Sequence, residues 1–280
     1  MGMIKKRISI STMLFVVAAF FTPSGSHALQ LSDEERQLII DFENLRDQPF
    51  EEFFTEVVHQ REFCPDINAV CEVPLQKRSD NFHVVFRGQN HMPTDHAAEA
   101  VNRALSMAFD DIGFLTNNWP IYEKPQGTQK YIYFVFVNRE TFEEIPEIYI
   151  QSRIAHKNFT NPEIRERMFR NFMKSDVPCM HIASIFDDGV TRASHIWVKT
   201  ELSDRLLGMC IAEELFNSMG IDEGVDVDST FDWPLASFDS EQGLSDLHRL
   251  LLKLLYQPDF KQGQNKDETR KVIENLLSTK

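Results

Sequence analysis

The stretch 210–223, Cys-Ile-Ala-Glu-Glu-Leu-Phe-Asn-Ser-Met-Gly-Ile-Asp-Glu, constrains the fold of this chain more than any other. Cys210, Ile211, Leu215, Phe216 and Met219 are apolar at helical spacing, and Gly220 stands where a left-handed C-cap is expected. Ser203 followed by Asp204 supplies a matching N-terminus. An amphipathic helix that ends on a glycine must send the chain off in a new direction there.

Laid over the zinc-protease pattern H-E-x-x-H-x-x-G-x-x-H, the stretch matches in spacing and differs in ligands. Glu214 falls on the general-base glutamate and Gly220 on the turn glycine. Glu213, Asn217 and Glu223 fall on the three histidines. In that pattern residues at i and i+4 share a helix face, and the glycine lets a third ligand return. Farther on, Ser229-Thr230-Phe231 stands where a metzincin places Ser-x-Met in its Met-turn. Leu244-Ser245-Asp246 opens an apolar helix ending Leu254-Leu255-Tyr256-Gln257-Pro258, similar to the closing helix of matrixin-type metalloproteases. Over residues 80–263 the chain resembles a family of secreted bacterial proteins of unknown function, regarded as zincin-like. That family also lacks the zinc histidines, which implies that their absence here is inherited. The resemblance implies an α+β, zincin-like (metalloprotease-type) domain with a mixed sheet, the signature helix and a C-terminal helix.

Residues 1–28 read as a secretory signal. Lys5, Lys6 and Arg7 form a basic n-region, 13–21 an apolar core too short to span a bilayer, and Ser26-His27-Ala28 a cleavage site. No cysteine follows the cut, so no lipid anchor is expected, and export to the periplasm or medium is. Loss of three positive charges and no negative ones takes the net charge from −14 to −17. A chain this acidic repels nucleic acid and anionic membranes. The remaining residues, about 250, allow one sizeable core. The 23 phenylalanines recur at helix and strand periods and read as core filling.

All four cysteines lie beyond the signal, in a context where disulfides form. Three pairings are possible. Cys64 and Cys71 enclose a short loop with Pro65 and Asp66, while Cys179 leads into a strand and Cys210 lies on the signature helix. Cys64–Cys71 and Cys179–Cys210 are therefore favoured. A thiolate metal site is the alternative, although neither pair has C-x-x-C spacing.

Along the chain, Ser32-Asp33-Glu34-Glu35 is a capping box for a helix over 33–46, and 49–60 a second, shorter one. Residues 29–79 read as a helical appendage with the cysteine loop. The domain proper begins near 80 with a strand over 82–86. A helix opened by Thr94 and Asp95 follows, with Gly113 as its stop. Residues 131–137 form a continuous apolar run, as expected of a strand buried on both faces. Asn161-Pro162 starts another helix. Residues 180–186 and 193–199 form a hairpin about Asp187-Asp188-Gly189, and the signature helix follows it. This order suits a zincin-like α+β domain. Beyond Gly263, residues 264–280 read as a charged helical tail.

The candidate site has three parts. Glu213 and Glu214 are read either as ligand and general base of a metal hydrolase or as solvent-facing acids late in a helix, where they oppose the dipole. Glu213, Asn217 and Glu223 offer oxygen donors, which suit a hard divalent cation better than zinc. The simpler expectation is no metal, with Asn217 and Glu223 hydrogen-bonding the turn. His181 and His195 are equidistant from the 187–189 turn, and a three-residue loop would place them opposite each other on one hairpin face. The remaining histidines show no ligand spacing. Asp246 is expected to cap the last apolar helix or to bond the Met-turn equivalent. Two functions follow. One is a non-catalytic module that holds a protein or peptide in the old cleft. The other is a metal-dependent hydrolase or peptidase with oxygen ligands.

Overall fold

The computed structural model describes residues 31–61, 71–88, 95–123, 130–138, 170–185, 191–201, 203–221 and 244–278. The signal, Cys64, Glu223, Phe231 and the start of the helix expected at Asn161 lie outside them.

Helix α1 (Asp33–Arg46) starts on the expected capping box. The Glu35 amide donates to Ser32 Oγ and the Ser32 amide to Glu35 Oε2, at 3.2 and 2.8 Å. Glu35 also takes a salt bridge from Lys253 at 2.6 Å, which ties this helix start to a helix more than two hundred residues on. Helix α2 (Phe50–His59) buries Phe50, Phe53, Phe54, Val57 and Val58. Two short strands, β1 (Gln60–Arg61) and β2 (Cys71–Glu72), pair antiparallel behind it.

Among the described residues the remaining strands form one mixed five-stranded sheet, so the fold is α+β. They are β3 (Phe82–Arg87), β4 (Pro120–Ile121), β5 (Tyr131–Val137), β6 (Cys179–Ile185) and β7 (Thr191–Lys199), in the order β4-β3-β5-β7-β6. The pairs β3–β4, β3–β5 and β5–β7 are parallel, and β6 lies antiparallel to β7 at the edge. One sheet face sends Phe82, Val84, Ile132, Phe134, Phe136, Cys179, Ile196 and Val198 into the core. On the other face Val135, Val137, Met180, Trp197 and Lys199 are buried as well. There Lys199 Nζ donates to the Ser175 carbonyl at 2.6 Å and sits 4.5 Å over the Phe172 ring. Burial on both faces is what lets β5 be an unbroken apolar run.

Helix α3 (Asp95–Thr116) crosses the core face, with Val101, Ala104, Leu105, Ala108 and Ile112 buried. It does not stop at Gly113. The helix runs one turn past it and ends at Asn117, whose φ of 56° is left-handed. Gly113 instead makes room for a neighbour, since a Cβ there would collide with the Trp119 indole, which lies against the helix at that point. Helix α4 (Asp204–Asn217) is the signature helix, wedged between α3 and the sheet. Helix α5 (Asp246–Leu255) buries its leucines beside α3, and α6 (Lys266–Ser278) packs on α2. The two ends of the described chain thus meet. His59 Nδ1–H donates to the Val73 carbonyl at 2.7 Å, and His59 Nε2 accepts from Thr269 Oγ1 at 2.8 Å. The Leu75 amide bonds the Gln264 carbonyl while the Gly263 amide bonds the Leu75 carbonyl.

Candidate functional site

Helix α4 is buried on nearly every side, from Leu207 through Met219, which marks it as a central core helix and not a surface one. Only around Glu213 and Asn217 does its final stretch reach half-burial. Glu214 does not face solvent: it is 9% exposed, and Asn217 Nδ2 donates to its Oε2 at 3.3 Å. The residues standing in for base and second ligand therefore bond each other, one helical turn apart. Glu223, the partner expected for Asn217 at the turn, lies outside the described residues.

At the helix end the chain tightens. The Met219 amide bonds the Phe216 carbonyl and the Gly220 amide the Asn217 carbonyl, after which Gly220 adopts φ +110°. A left-handed turn was expected there. Its neighbour was not: a Cβ on Gly220 would collide with the Gln76 carbonyl. Residues 75–79 pass directly across the end of α4 and fasten it. Arg78 Nε donates to the Ser218 carbonyl at 3.0 Å. The Tyr256 hydroxyl donates to the Met219 carbonyl at 2.9 Å and accepts from the Arg78 amide at 3.0 Å. Lys77 Nζ donates to the Leu255 and Gln257 carbonyls, both at 3.2 Å. These donors satisfy carbonyls that helix ends leave open and place positive charge where the dipole favours it. Burial pushes the Lys77 ammonium down to about 8 and raises the Tyr256 phenol.

The two hairpin histidines do not meet. β6 pairs His181 with Ile196 and Ile182 with His195, one residue off the expected register. Because alternate residues point to opposite faces, a one-residue difference puts His181 and His195 on different sides of the sheet. A bulge near Ser184 and Ile185 absorbs the extra residue, so counting outward from the turn misplaces the pair. His181 Nε2 reaches Ser194 Oγ at 3.0 Å on the α4 side. His195 stacks on Tyr133 on the other side, ring centroids 5.1 Å apart.

Cys179 and Cys210 form a disulfide with Cα atoms 5.6 Å apart, tying the start of β6 to α4. Asp246 is the first residue of α5 and does not cap it; Ser245 does, its Oγ accepting from the His248 amide at 3.3 Å. The same hydroxyl lies 2.7 Å from His248 Nδ1 and donates to it, so the buried imidazole is held neutral, and burial pushes it down to about 3. Next to this cap, burial raises the Asp111 carboxyl, against the pull of Arg249 at 2.6 Å and of the Leu244 amide. Among the described residues no group of three or more histidine, cysteine, aspartate or glutamate side chains is placed to hold a metal ion. Nor is any helix there long and apolar enough to cross a membrane.

The family described as protein of unknown function (DUF2927) matches residues 47–275, from the end of α1 nearly to the end of α6. The chain belongs to this family. No curated protein and no solved structure matches it. The span matched by DUF2927 takes in the signature helix, the 75–79 strap, the edge hairpin and Tyr256. Among the described residues it thus takes in the groups that fasten the end of α4. Sequence spacing could not find Gln76, Arg78 or Tyr256, because each reaches the helix end from a distant part of the chain.

Proposed function

We propose that this DUF2927 protein is an exported, zincin-like, non-catalytic module that binds a protein or peptide beside the signature helix. The observation that carries this is the divergence of the imidazoles: with His181 and His195 on opposite sheet faces, they cannot converge on Glu214. The mutual hydrogen bond of Asn217 and Glu214 supports the same role. The element order strand, helix, strand, hairpin, signature helix supports the zincin-like assignment. The division into a domain over residues 80–263 with flanking helical segments belongs to the proposal. So do the signal over 1–28 and the periplasmic or extracellular destination, with which the disulfide is consistent.

The binding surface we assign is the edge strand β6. In the described sheet β6 is the edge strand, paired to β7, and an edge strand is where an extended peptide adds its backbone to a sheet. The disulfide holds that edge against α4.

The alternative is a metal-dependent peptidase with oxygen ligands around Glu213, Asn217 and Glu223. The two are separated by assaying casein and fluorogenic peptides with added zinc, calcium or manganese, for the parent and for Glu214→Gln. A binding module cleaves nothing under any condition. Cleavage by the parent that Glu214→Gln abolishes would establish the peptidase.

A further inference from the structure

Arg78 is 1% exposed, yet its guanidinium has no carboxylate partner among the described residues. A buried cation without a counter-ion is costly and calls for an explanation. Part of it is local. Nε donates to the Ser218 carbonyl at the end of α4, and the Phe82 ring lies 5.5 Å from the guanidinium carbon. The outer fork is not explained in this way. Nη2 donates to Ser194 Oγ at 2.7 Å, and Nη1 is buried without a hydrogen-bond partner. Two parallel donors on a planar guanidinium match the two oxygens of a carboxylate. The polar contacts continue toward the edge of the sheet. Ser194 Oγ lies 3.0 Å from His181 Nε2, and His181 is half-buried on the edge strand β6.

Resting on the peptide-binding role above, we propose that Arg78 receives a carboxylate of the bound peptide. The carboxylate enters past His181, displaces the Ser194 hydroxyl from Nη2 and takes Nη1 and Nη2 together. Nε stays on the Ser218 carbonyl, so the end of α4 is undisturbed. Ligand binding and the position of the signature turn are then coupled through one side chain. The carboxylate has two sources in a peptide, the C-terminus and an acidic side chain.

The test passes a randomised hexapeptide library, in free-acid and C-terminally amidated forms, over the immobilised protein, with retained peptides read by mass spectrometry. For a terminal carboxylate, free acids are retained over amides by about ten-fold or more, as expected for a desolvated charge pair. For a side-chain carboxylate, acids and amides are retained alike, but only those with Asp or Glu at one fixed position. Retention indifferent to both carboxylates overturns the Arg78 site and leaves peptide binding standing. Retention of no peptide overturns both. In Arg78→Gln the carboxylate preference is expected to vanish, and its persistence overturns the assignment. Because Arg78 also fastens α4, the parent gives a reading that needs no variant. Its melting temperature rises with the best-retained peptide and stays put with the same peptide stripped of that carboxylate. An equal rise with both overturns the proposal.

Discussion

Gly220 shows how much one position can hold. Its φ of +110° costs any residue with a Cβ roughly 1–2 kcal/mol, and the Gln76 carbonyl leaves no room for that Cβ. Gly220→Ala should therefore lose more than about 2 kcal/mol, and Gly220→Val more again, since branching adds to the collision. Urea denaturation of the two variants measures this, and midpoints equal to the parent's would contradict it. The glycine itself was legible, because an apolar helical run followed by glycine signals a positive φ. The strap that crowds it was not, since Gln76 and Arg78 carry no pattern pointing to residue 220. A second residue-scale prediction concerns pH. The His248 imidazole is depressed from its ordinary 6.5 to about 3, so below pH 6.5 the unfolded chain takes a proton that the folded chain refuses. Its stabilising effect is complete above pH 6.5 and is lost as pH falls toward 3, by about 1.4 kcal/mol per pH unit. Asp111, raised by burial, works in the opposite sense as its carboxyl takes up a proton, and offsets part of the loss. The stability gap between the parent and His248→Gln should thus narrow steadily from pH 6.5 downward. A gap that is constant between pH 7.5 and 5 would show that the ring is not held neutral.

At the scale of elements, helices α1 and α4 and strand β5 could be read from the sequence because each carries a local signal. These are a capping box, a glycine-terminated apolar run and an unbroken β-rich segment. Two elements departed from expectation for tertiary reasons. α3 continues through Gly113 because the Trp119 indole covers it, and the left-handed Asn117 provides the stop. The β6–β7 register depends on a bulge that no composition signal marks, and a shift of one residue was enough to part His181 from His195. The Cys179–Cys210 pairing was legible from the spacing of the elements, with one cysteine ahead of a strand and one on the following helix. Closing a loop of 31 residues contributes about 3–4 kcal/mol in the chain-entropy account. Reduction, or the double variant Cys179→Ala/Cys210→Ala, should lower stability by that order. It should also speed amide exchange first along β6, the edge strand that the bond fastens. Uniform exchange with unchanged stability would mean the staple holds nothing that the core does not hold already.

For the molecule as a whole, one core runs from the N-terminal helices through the sheet to α6, joining Phe42 and Phe54 to Phe260 and Ile273. The partners in that closure were not legible in the sequence, where residues 29–79 read as an appendage packed on the domain and 264–280 as a charged tail, because His59 and Thr269 lie about two hundred positions apart. Into this core the chain has placed a helix with the spacing of a metalloprotease signature. Its end is fixed by Arg78, Tyr256 and the Gln76 backbone. On the proposed binding role, the helix that ends at Gly220 serves as scaffold and not as a metal centre. Elemental analysis of the protein purified from its native compartment tests this most directly. The account predicts no metal in stoichiometric amount, and no change in metal content between the parent and Glu213→Ala or Asn217→Ala. One equivalent of a divalent metal per chain, lost in either variant while the fold is retained, would contradict it.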